Sequence, residues 1–137
     1  MKGLIIAEPW VSMIVAREKT WEMRSRDTKI RGRIALIRKG SKTVVGVADL
    51  VFTVPKLAHS DLRANVVRHQ VPVDEIDHNF KYDTAWVLEC ARPLPQPVPY
   101  RHPTGAVIWV KLDPDVAATI EQQLAQLESQ NSLLSPK

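Results

Sequence analysis

Six strand-like segments lie between Gly3 and Leu112, and their order constrains the fold more than any other feature. They are Gly3–Ala7, Thr20–Ser25, Arg33–Arg38, Thr43–Val54, Thr84–Ala91 and Gly105–Leu112. Helical segments are interspersed, but no strand–helix unit repeats. A doubly wound parallel sheet needs that repeat, so the pattern predicts an α+β fold. A small, mostly antiparallel β-barrel flanked by helices fits best. Gly46 interrupts the Val-rich run Thr43–Val54. A glycine inside a strand marks a bulge or a close backbone approach.

Pro9 suits a first helical turn, and a helix is expected over Trp10–Glu18, with Trp10, Met13 and Ile14 on one side. Residues 56–83 are the least regular. Asp61 is expected to cap a short helix through Arg68, and Asp74–Asp77 to form another helical turn. From Arg92 onward, four prolines at alternate positions favour an extended, polyproline-like connector. Asp113 and Pro114 fit the cap and first position of a last helix. Its stripe of Val116, Ile120, Leu124 and Leu127 either packs on the barrel or, with Leu133 and Leu134, serves a dimer contact. From Ser129 the tail is polar and expected to fray. Residues 1–112 thus form the barrel domain, and 113–137 a helix and tail packed on it, in a monomer or weak homodimer.

At 137 residues and 45% apolar content the chain supports one domain with a real core. No apolar run approaches the roughly 18 residues of a membrane span. The apolar start breaks at Glu8-Pro9, too early for a signal peptide. The single cysteine, Cys90, allows no internal disulfide, which suits the cytoplasm. Charge is uneven: residues 1–42 carry a net +7 and residues 43–137 a net −3. A concentrated basic face attracts phosphates whatever their sequence.

Several chemistries lack their residues. No phosphate loop and no dinucleotide fingerprint is present. His59, His69, His78 and His102 have no zinc-site spacing, so neither metal nor cofactor is expected. Cys90 sits in an apolar strand and reads as a buried thiol, and Trp86 and Trp109 read as core. What remains is Lys19-Thr20-Trp21-Glu22-Met23-Arg24. Strand alternation sends Trp21 and Met23 into a core and leaves Thr20, Glu22 and Arg24 in a row, with Lys19 just before it. An ordinary ion pair on a polar strand face would give the same pattern. A desolvated Lys19 could act as nucleophile or base, Glu22 as its proton partner, and Arg24 as a clamp for a phosphate or a carbonyl-bearing base. Trp10 offers a flat face for a nucleobase, or a lid. Arg26, Lys29, Arg31 and Arg33 would form a basic rim for phosphates.

Gly3-Leu4-Ile5-Ile6, Pro9-Trp10, Lys19-Thr20-Trp21-Glu22-Met23-Arg24 and Arg31-Gly32-Arg33-Ile34 together resemble the ASCH domain (activating signal cointegrator homology), of the PUA-like superfold. Val45–Ala48, Ala85–Glu89 and Gly105–Trp109 extend the resemblance over roughly residues 3–112. It implies a barrel with a helix-walled cleft lined by the lysine, glutamate and arginine of the motif, and association with RNA. Some members are hydrolases, acting on N4-acetylcytidine or on RNA. For the amidohydrolases it implies a catalytic lysine at Lys19. Their catalytic threonine falls where this chain has Glu22, and Asp74 or Glu75 corresponds loosely to a further glutamate. The glycine common two residues before the lysine is Arg17 here. Three readings follow: an RNA- or nucleotide-binding module, a hydrolase of a modified nucleoside or RNA, and a protein-interaction adaptor working through the C-terminal helix.

Overall fold

The computed structural model describes the backbone of residues 1–134 and the side chains of residues 1–131. The strands are β1 (Lys2–Ile6), β2 (Trp21–Arg24), β3 (Gly32–Arg38), β4 (Thr43–Val54), β5 (Thr84–Pro99) and β6 (Trp109–Lys111). The helices are α1 (Trp10–Val15), α2 (His59–Ala64), α3 (Val66–His69), α4 (Val73–Asp77) and α5 (Pro114–Leu134). One mixed sheet runs in the order β2-β5-β4-β3-β1-β6. Only β1 and β3 pair in parallel; every other neighbouring pair is antiparallel. The expected barrel is therefore a curled half-barrel with β2 and β6 as its edges.

Side chains bridge what the ladder leaves open. Trp86 of β5 stacks on Trp109 of β6, with centroids 5.7 Å apart and planes 12° from parallel. Arg24 of β2 donates through Nη2 to the Ile5 carbonyl of β1 at 2.9 Å. Trp86 is core, as expected, while Trp109 is half-buried against it.

Gly46 does what its position in a Val-rich strand predicts. The β4–β5 register shifts beside it, and a Cβ there would stand 2.7 Å from the Arg92 carbonyl oxygen and 2.6 Å from Val15 Cγ1. The missing side chain lets α1 lie close on β4.

The structure corrects several expectations. Helix α1 ends at Val15 rather than Glu18, because Arg17 takes a left-handed φ of 63°. The Glu18 N–H then donates to the Met13 carbonyl and the Arg17 N–H to that of Ile14, closing a Schellman end. Val11 and Ile14, not Met13, are the fully buried positions. Asp61 is not the cap of α2. It lies at the third helical position, and its carboxylate accepts the Ala58 N–H at 3.1 Å. The helix expected through Arg68 is broken at Asn65 into α2 and α3.

The proline run is no separate connector. It continues β5, with Pro93 opposite Gly46 and Pro99 opposite Thr43. Because β2 pairs only with Thr84–Val87, residues 92–99 form an edge, where an absent donor leaves no ladder bond unmade. Cys90 is exposed, not buried. Val47 faces Arg92 while Asp49 faces Glu89, so β5 holds one extra residue there, and the bulge turns Cys90 outward at φ 54°. The last strand is only Trp109–Lys111.

Helix α5 packs Ile120 and Leu124 into the cluster of Ile37, Val44 and Val98. Val116 is partly buried against the same cluster, so these three residues of the stripe pack on the sheet. Its backbone stays helical to Leu134, past the expected fraying at Ser129. The side chains of Leu133 and Leu134 and all of residues 135–137 lie outside the described residues. Among the described residues no helix is long and apolar enough to cross a membrane.

Candidate functional site

A pocket of about 290 Å³ opens where β1, β2, the end of β3 and the 71–82 segment converge. That is the small end of the roughly 300–1,000 Å³ usual for ligand sites. Its charged lining is Lys19, Glu22, Arg24, Lys39 and Glu75, and its aromatic lining is Trp10, Phe80 and Tyr82.

Lys19 forms the floor and is 2% exposed. The Schellman end of α1 turns the chain back so that this side chain enters the interior. Its Nζ donates to the His69 carbonyl at 2.5 Å, lies 3.8 Å from Glu22 Oε1, and sits 4.8 Å from the centre of the Trp10 ring. Burial pushes its pKa from an ordinary 10.5 down to about 8; Glu22 opposes that fall and Arg24 adds to it. Glu22 is also buried, and its Oε2 accepts from Arg24 Nη2 at 2.8 Å and Nε at 3.1 Å. Arg24 lies over the Trp86 ring at 5.4 Å. Two cations thus flank one carboxylate beneath an aromatic face.

The depressed Lys19 pKa has a consequence for stability. Between about pH 8 and pH 10.5 the unfolded chain holds a proton on Lys19 that the folded chain has released. Stability therefore rises with pH across that window, by at most about 1.4 kcal/mol per unit, and the cost of the buried charge stands in full below it. Denaturation of wild type and Lys19→Met over pH 6–10.5 should show the wild type gaining on the variant only above about pH 8. A pH-independent difference would refute the assignment.

Of the residues read from the sequence, the pocket gathers Trp10, Lys19, Glu22, Arg24 and Glu75. Met23, expected only in the core, also lines it, while Trp21 is half-buried beneath the Arg68 guanidinium. Thr20 is exposed and outside the lining; β2 begins only at Trp21. Arg26, Lys29, Arg31 and Arg33 are exposed and outside it too. Arg31 donates to the Thr28 and Ile30 carbonyls and to Thr53, and Arg33 pairs with Glu121 of α5 at 3.1 Å. Sequence reading missed Lys39, Phe80 and Tyr82 as pocket residues. Lys39 stands in the basic 24–42 stretch and carried a signal; the two aromatics lie in an irregular segment without periodicity. Among the described residues no three His, Cys, Asp or Glu side chains cluster as a metal site.

A sequence model of the ASCH domain matches residues 4–96. The chain belongs to the ASCH family. That family is associated with RNA binding. No curated protein sequence matches. The crystal structure of ASCH from Zymomonas mobilis is similar at a TM-score of 0.65 and 18% identity, covering 92% of this chain and 94% of that one. A tyrosine-to-phenylalanine mutant of the same bacterial protein gives 0.67 and 16%, covering 88% and 96%. At these identities the likeness is one of fold. Two positions before Lys19 in this ASCH domain, Arg17 takes its left-handed φ of 63°. The strain coexists with a 2.6 Å bond from Arg17 Nε to the Ala91 carbonyl.

Proposed function

We propose that this ASCH domain binds RNA by taking one nucleobase into the pocket. The observation that carries the reading is the buried Lys19 ammonium beneath the face of Trp10, with Phe80 and Tyr82 lining the same space. A base stacked on Trp10 would meet Lys19 as donor and Glu22 or Glu75 as acceptors. Lys39 and Arg24 would meet the sugar or phosphate. Arg26, Lys29, Arg31 and Arg33, outside the pocket, would draw in the flanking backbone.

Titration of single-stranded oligoribonucleotides into wild type, Trp10→Ala and Arg24→Ala at low and moderate salt tests this. Loss of stacking at Trp10 should cost about 1–3 kcal/mol, roughly 5- to 150-fold in Kd. Binding by wild type should weaken steeply with salt. Affinity unchanged in both variants would end the reading.

One observation favours a second reading, a hydrolase of a modified nucleoside or of RNA. Near pH 8 a substantial fraction of Lys19 is neutral, and two carboxylates, Glu22 and Glu75, share its pocket. That set could activate water and shuttle its proton. Wild type and Lys19→Ala incubated with acylated nucleosides and labelled RNA, followed by mass spectrometry, separate the two readings. Product formed by wild type and lost in the variant supports catalysis.

A further inference from the structure

We propose that His69, which does not line the pocket, is the positioning residue that holds Lys19 in place. Among the described residues the lysine Nζ has one hydrogen-bond acceptor at close range, the His69 carbonyl at 2.5 Å; its Glu22 partner is 3.8 Å away. Where that carbonyl points decides where the ammonium points.

The carbonyl belongs to a tight exit from α3. Gln70 follows in the left-handed region at φ 63°, and the chain then turns into Val71, which lines the pocket. Such a turn in a non-glycine residue needs anchors, and the His69 ring supplies two. Its Nδ1 accepts the Val71 N–H at 2.9 Å, and its Nε2 bonds the Leu62 carbonyl in α2 at 2.6 Å. A backbone N–H only donates and a carbonyl only accepts, so the tautomer is fixed with the proton on Nε2. The ring is fully buried, and burial also holds its pKa below the ordinary histidine value. A second proton would displace the Val71 bond. His69 is thus a neutral clamp tying the turn to α2 on one side and to its own next strand of chain on the other. With both ring nitrogens committed, it is no acid or base for the pocket, and it acts through its carbonyl on Lys19.

The inference deepens the pocket reading above and rests on Lys19 being the group that meets the ligand. Its test is read on the free protein. The Lys19 side-chain carbon and proton shifts are followed by NMR from pH 6 to 11 in isotope-labelled wild type, His69→Asn, His69→Gln and His69→Leu, with Lys19→Arg to assign the signal. Asparagine places an acceptor where Nδ1 stood but gives up the Leu62 tie, and should move the Lys19 midpoint less than glutamine or leucine does. Glutamine reaches Leu62 but abandons the Val71 N–H, and leucine abandons both. In each the carbonyl loses its setting, and the midpoint should move by about half a pH unit or more. A folded His69→Gln or His69→Leu protein with an unmoved midpoint would overturn the inference. Should leucine prevent folding, glutamine decides. The same variants titrated with oligoribonucleotide separate the two ideas. A shifted midpoint with no RNA binding even by wild type overturns the binding reading and leaves the clamp standing.

Discussion

Glu22→Ala is expected to be among the most damaging single changes in this protein at neutral pH. Its carboxylate lies between Lys19 and Arg24, both within 4 Å, with the lysine wholly inside the fold. Removing one member of a buried charge cluster leaves the others uncompensated, at a cost of about 3–5 kcal/mol. The protein has one escape. Glu22 holds the Lys19 pKa up against burial, so without it that pKa falls below its present value of about 8. The variant then sheds the buried charge at a pH where wild type still carries it. Denaturant unfolding should therefore show a larger deficit at pH 6 than at pH 8.5. An equal deficit at both would mean that Glu22 matters through packing alone and that the ammonium does not depend on it.

Gly46→Ala should cost about 2–3 kcal/mol, and Gly46→Val more. The new Cβ meets one side chain and one backbone atom, Val15 Cγ1 and the Arg92 carbonyl oxygen. The first contact can be relieved, whereas the second lies in the β4–β5 pairing and cannot move without reopening it. Val15→Ala should thus recover only part of the loss in the double variant. Full recovery would show that the strand ladder yields more easily than a paired β5 should. The contrast is Gly3, where the nearest obstacle is the terminal Cδ1 of Ile37, a flexible end that can rotate away. Gly3→Ala is expected to cost clearly less. Both can be read by thermal or denaturant unfolding.

The two changes belong to one piece of architecture. Gly46 lets α1 approach β4, and the end of α1 then delivers Lys19 to the pocket floor beside β2. The sequence carried much of this. Period-two alternation placed Glu22 and Arg24 together, since strand geometry is local. Helical spacing found the buried Ile120 and Leu124, and a glycine in a Val-rich strand announced the close approach at Gly46. The motif around Lys19 pointed to the family, and the matched residues 4–96 place the chain in it.

Other features were decided only by residues far apart in the chain. Cys90 reads as buried from its apolar neighbours, yet a bulge set by the partner strand turns it out. The proline run reads as a connector because pairing with β4 is invisible in its own residues. Met23 belongs to the core by alternation, but the 71–82 segment folds over β2 and makes it pocket lining as well. His69 looks like one of four unremarkable histidines until its ring is seen tying Leu62 to Val71 and its carbonyl meeting Lys19, fifty positions away in the chain. By itself the sequence determined the order of the strands, the buried face of the last helix and the closeness of Lys19 and Glu22, because those follow from period and residue type over a few neighbours. The tertiary structure decided which of those charges are buried, and what surrounds them, because desolvation depends on every segment packed against a group and not on the one that carries it.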